Sequence, residues 1–178
     1  MKKKIWLSVA ALALVLCCAV GGTLAWLTDK TEPVKNTFTI GDINIDLSES
    51  ENLDLKMVPG NTIKKDPKIT VKAGSEACWL FVKVEKSANF DDFMTYNMAD
   101  GWTPLSDNEG VFYRGVSAST SDTSFAVLKN DQVAVKEEVT KQQLAAVKDN
   151  LPTLTFTAYA VQKDNIVDAS TAWAKITP

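Results

Sequence analysis

The feature that most constrains the fold is alternation of apolar and polar side chains with a period of two. In Leu154-Thr155-Phe156-Thr157-Ala158-Tyr159-Ala160-Val161, apolar residues hold every even position and threonine holds the first odd ones. Successive side chains of a strand point to opposite faces, so this run reads as a long strand with one face buried. Cys78 to Glu85 repeats the pattern more strongly. Cys78, Leu80, Val82 and Val84 form one face, and Trp79 and Phe81 cover the other until Lys83 and Glu85 expose it.

Weaker copies of the signal run along the chain. Apolar residues fall on even positions in Thr37-Phe38-Thr39-Ile40 and on odd positions at Ile43, Ile45 and Leu47. A parity change across Gly41-Asp42 is what a bulge or sharp bend produces, giving two short strands or one strand broken at Gly41. Pro59-Gly60 marks a turn, and Ile69 and Val71 mark the next strand. Trp102 and Val111-Phe112-Tyr113 read as two strands joined by a turn around Asp107-Asn108-Glu109-Gly110, and short strands fit Phe125–Leu128 and Val133–Val135. About six or seven strands at such spacing predict an all-β, antiparallel sandwich.

Two short helical insertions interrupt the strands. Thr140-Lys141-Gln142-Gln143 is a capping box, in which the Thr140 hydroxyl accepts from the Gln143 N–H and the Gln143 side chain returns the bond. Val139 and Leu144 flank it as a hydrophobic staple, and Leu151-Pro152 ends the element. Asp168 precedes Ala169-Ser170-Thr171-Ala172-Trp173-Ala174 as the cap of a terminal helix that buries Trp173.

The N-terminus has a different character. Lys2, Lys3 and Lys4 precede an apolar stretch from Ile5 to Val20, interrupted only by Ser8, and Thr23-Leu24-Ala25 supplies small residues at the −3 and −1 positions. This is the three-part pattern of a secretory signal, cleaved by signal peptidase between Ala25 and Trp26. The competing readings are an uncleaved anchor over Ile5 to Leu27 and a lipidated Cys17. Leu16 departs from the small residue that lipidation wants. The expected organisation is a signal peptide at residues 1–25 and one secreted β-sandwich domain at 26–178, with no stable membrane anchor after cleavage. Cleavage leaves 153 of the 178 residues and takes the net charge from −3 to −6. An acidic chain with one arginine, Arg114, is not suited to nucleic acid. Cleavage also leaves Cys78 as the one cysteine, so no intramolecular disulfide forms, and its apolar surroundings suit a packed thiol.

Nothing in the pattern points to catalysis, a metal or a cofactor. The chain has no histidine, which removes histidine-centred triads and ordinary catalytic zinc sites. No glycine-rich phosphate loop is present. Asp91-Asp92 and Asp107-Asn108-Glu109 lack the spacing of a calcium loop. Lys83 is a weak candidate for an isopeptide crosslink, which needs a buried trio.

Several segments, taken in order, resemble a known group. Gly22-Thr23-Leu24-Ala25-Trp26-Leu27-Thr28-Asp29 followed by Asn36-Thr37-Phe38-Thr39-Ile40-Gly41 is similar to Gram-positive proteins exported with a SipW-dependent signal peptide, the TasA and camelysin-like biofilm matrix family. Lys65 to Val71, Trp79 to Val84, Ala158 to Gln162 and Ala172-Trp173 look like later segments of that group. The resemblance implies a jelly-roll-like β-sandwich and a secreted or cell-surface subunit or accessory of extracellular matrix fibres, self-associating or bound to other matrix proteins. It also implies assembly by donor strand, with Trp26, Leu27, Val34, Phe38 and Ile40 as the candidate donor segment. Phe38 and Ile40 fit the chain's own first strand equally well. Camelysin relatives are also called metallopeptidases, and the absence of histidine and of H-E-x-x-H argues against carrying that activity over. The alternative function is a monomeric extracellular module that binds a surface polymer or host ligand through loops such as Asn89–Asp100.

Overall fold

The computed structural model describes residues 42–50 and 56–176. Signal cleavage at Ala25 and Trp26 and the candidate donor residues Trp26, Leu27, Val34, Phe38 and Ile40 lie outside the described residues. Among the described residues, ten strands form three antiparallel sheets: β1 (Ile45–Ser48), β2 (Thr62–Lys64), β3 (Lys68–Val71), β4 (Cys78–Lys86), β5 (Met94–Met98), β6 (Thr103–Pro104), β7 (Val111–Val116), β8 (Thr123–Ala126), β9 (Leu128–Val135) and β10 (Leu154–Gln162). The central sheet has the order β10-β4-β7-β6, and two three-stranded sheets, β1-β3-β8 and β2-β9-β5, complete the sandwich. The described residues also form three short helices, α1 (Phe90–Phe93), α2 (Lys141–Ala146) and α3 (Ala169–Trp173).

β4 organises the core because both its faces are covered. Its even face, Cys78, Leu80, Val82 and Val84, packs with Ile69 and Val71 of β3 and with Phe156, Ala158 and Ala160 of β10. Its odd face places Phe81 against Val111, Val161 and the α3 residues Ala169, Ala172 and Trp173. The full-length register of β4 on β10, from Cys78↔Gln162 to Lys86↔Leu154, keeps the parities of both strands aligned. The odd-position reading of Ile43, Ile45 and Leu47 holds, with all three in the main core cluster.

A third cluster lies under the β2-β9-β5 sheet, where Ile63, Met94, Val133 and Val135 meet Phe90, Phe93, Leu128 and Val139. β8 and β9 are almost continuous. The chain passes from one outer sheet to the other at the fully buried Val127, whose N–H donates to Pro67 O at 2.9 Å.

Two expectations are corrected. Leu128 belongs to β9 rather than to the strand before it, and β9 already starts there, with Asn130 and Asp131 at positive φ inside it. Asn89–Asp100 is not a loop: it holds α1 and β5, pinned by Phe90, Phe93 and Met94, all buried. Both predicted helical insertions are present, and among the described residues a third short helix, α1, joins them. Both predicted caps are present, Thr140 with its full capping box and Asp168 accepting from Thr171 N–H.

Candidate functional site

Two adjoining depressions flank Leu154 at the start of β10. The first lies between edge strands. Among the described residues, β10 pairs with β4 alone and β1 pairs with β3 alone, so each keeps one row of backbone groups without a described strand partner. A groove of about 320 Å³ runs between them, lined by Leu47, Ser48 and Glu49 on one side and Leu154, Thr155 and Phe156 on the other.

Polar contacts hold this groove in shape. Lys65 Nζ donates to both oxygens of Glu49, at 3.0 and 3.1 Å, and lies 5.5 Å from the centroid of the Phe156 ring. The Ser50 hydroxyl and N–H donate to the two carboxylate oxygens of Asp66, at 2.6 and 3.0 Å. These two bonds, the hydroxyl first, hold the Asp66 carboxyl down from 3.8 to about 2, with Lys64 at 3.3 Å assisting. The chain leaving β1 is therefore tied to the β2–β3 connection by one ion pair and one bidentate carboxylate.

The second depression, about 560 Å³, opens over the β2-β9-β5 sheet. Ile63, Met94 and Val133 form its floor, Leu144 of α2 and Leu151 its outer wall. Among the described residues three lysines line it, Lys56, Lys65 and Lys148, and no carboxylate does.

The remaining sequence candidates do not converge on a site. Lys83 is paired with Glu85 at 2.7 Å on the exposed end of β4, so it belongs to no buried trio. Asp91 pairs with Lys86 in the first turn of α1, and Asp107 sits at positive φ in the β6–β7 turn. Cys78 is fully buried, and desolvation pushes its thiol up to about 11. Trp79, Trp102 and Trp173 are spread over two core clusters and form no common platform. Sequence reasoning missed both depressions, because each gathers residues from strands distant along the chain. The signal that was present is the mixed apolar and lysine content of Lys56-Met57 and Lys148 to Leu154.

Taken together, the architecture is that of an all-β sandwich with open strand edges. The chain matches the camelysin metallo-endopeptidase family over residues 1–168 and belongs to that family. No curated protein and no solved structure matches it. The family description implies a metal ion, and the described residues do not fit one. The chain has no histidine, no group of three or more metal-ligating side chains converges among the described residues, and the Cys78 thiol is buried and protonated at neutral pH. No helix among the described residues is long and apolar enough to cross a membrane.

Proposed function

We propose that this protein is a secreted or cell-surface structural protein of a Gram-positive bacterium, a subunit or accessory of extracellular biofilm matrix fibres. It carries no peptidase activity of its own. The observation that carries the reading is the pair of strand edges, β1 and β10, left without a described partner on either side of one groove. An extended segment from a second copy laid along these edges gains main-chain hydrogen bonds and sets alternate side chains against Leu47, Leu154 and Phe156. The segment proposed for that role is Trp26 to Ile40, with Trp26, Leu27, Val34, Phe38 and Ile40 as its apolar members, freed by cleavage after Ala25. Family membership supports the secreted or cell-surface part of the reading. The alternative is a monomeric binding module using loops such as Asn89–Asp100, and that segment holds α1 and β5.

Negative-stain microscopy of the purified protein tests the proposal. Fibres should form on concentration or acidification and disappear when residues 26–37 are deleted. Unchanged fibres after the deletion would sink the donor-segment assignment, and a persistent monomer would sink fibre formation itself. Cleavage of casein by the purified protein, abolished by a chelator, would contradict the non-catalytic reading.

A further inference from the structure

The depression over the β2-β9-β5 sheet has a composition that the fibre reading does not use. Its floor is apolar, built from Ile63, Met94 and Val133, all buried. Its mouth is also apolar at one point: Leu151 is 55 % exposed, one of two large hydrophobic side chains so exposed among the described residues. A volume of about 560 Å³ lies inside the range of small-molecule sites, roughly 300–1,000 Å³.

Charge narrows the ligand class. The chain carries a net −3, yet among the described residues the charged side chains lining this depression are lysines, Lys56, Lys65 and Lys148. Lys65 is engaged by Glu49 at one side of the opening. Lys148 is exposed, and no carboxylate among the described residues pairs with it. An apolar trough ending in an ammonium group complements a molecule with a hydrocarbon tail and an anionic head. Among the described residues a cationic amphiphile finds no acid here, and a nucleotide finds no exposed aromatic face, since Phe90 is buried. Unbranched Met57 and Met94 together with Leu144 suit a flexible chain, because thioether side chains adapt to irregular apolar shapes.

We infer that this depression binds a single-chain anionic amphiphile of the fatty carboxylate class, its tail over Ile63, Met94 and Val133 and its head at Lys148. The inference is independent of fibre assembly, since the strand edges used there lie on the other side of Leu154.

Calorimetric titration of the purified protein with sodium dodecanoate, below its micellar concentration, provides the test. One equivalent should bind per chain. Decanoate should bind more weakly by roughly fourfold per methylene removed, and dodecyltrimethylammonium should bind far more weakly than dodecanoate. Lys148→Glu and Leu151→Glu change exposed side chains, so both variants should keep the wild-type circular dichroism. Each should bind dodecanoate about tenfold more weakly, the first through charge reversal and the second through a desolvated carboxylate at the mouth. Absence of dodecanoate binding overturns the inference, as does equal affinity for the cationic amphiphile or unchanged affinity in both variants. Dodecanoate affinity that falls as the protein self-associates would assign the trough to a second copy and overturn it as well.

Discussion

Phe81 is fully buried, with its ring centroid 5.2 Å from that of Trp173 and 6.4 Å from that of Tyr113. Truncating it removes the side chain that joins the central sheet to α3, so Phe81→Ala should cost about 3–5 kcal/mol in urea unfolding. Its burial was legible from the alternation in β4. Its partner Trp173 was legible only as a buried helix residue, because nothing local ties it to β4. Cys78, on the opposite face of β4, has a thiol raised to about 11 by burial. In the chain lacking residues 1–25, iodoacetamide should therefore leave Cys78 unmodified in the folded state and alkylate it in denaturant. Asp66 gives a pH signature. Its folded pKa of about 2 lies below the ordinary 3.8, so its stabilising contribution is present above the unfolded value and is lost as pH falls from about 4 towards about 2. Unfolding midpoints measured through that range should fall less steeply in Asp66→Asn than in wild type. Arg114 was not legible as a structural residue. Its guanidinium lies 3.9 Å from the centroid of Phe125 and 5.3 Å from that of Trp102, a stack built from three separate segments.

Among the elements, α2 shows how far local chemistry reaches. Thr140 Oγ1 accepts from Gln143 N–H at 3.2 Å while Gln143 Oε1 accepts from Thr140 N–H at 2.8 Å. Thr140→Ala should cost about 1 kcal/mol in the same unfolding experiment, with no loss of the strand signal in circular dichroism. The box was legible because its four residues are contiguous. α1 was not, since Phe90-Asp91-Asp92-Phe93 is a single turn, too short for a helical period to emerge. The β8–β9 boundary was obscured for a different reason. Asn130 and Asp131 look like a turn and do adopt positive φ, but they form an irregularity within β9. Gly110 is the converse case, a turn residue that behaves as its type suggests. At φ 76° a Cβ there would stand 2.6 Å from Val84 O, so the β6–β7 turn has no room for a side chain.

At the scale of the whole molecule, the sandwich class follows from strand number and spacing, and the family assignment from segments spread along nearly the whole chain. The arrangement of edges does not. That β1 and β10 lie beside one groove depends on three sheets closing around β4, a consequence of packing that no segment carries alone. The same closure places the lysine-lined trough on the far side of Leu154. The proposed fibre assembly runs through these edges. It is tested most directly by amide hydrogen exchange on monomer and assembled protein. Assembly should slow exchange at the edges of β1 and β10, around Ile45–Leu47 and Leu154–Phe156, and leave β4 and β7 as they were. Fibres in which those two edges exchange as fast as in the monomer would contradict it.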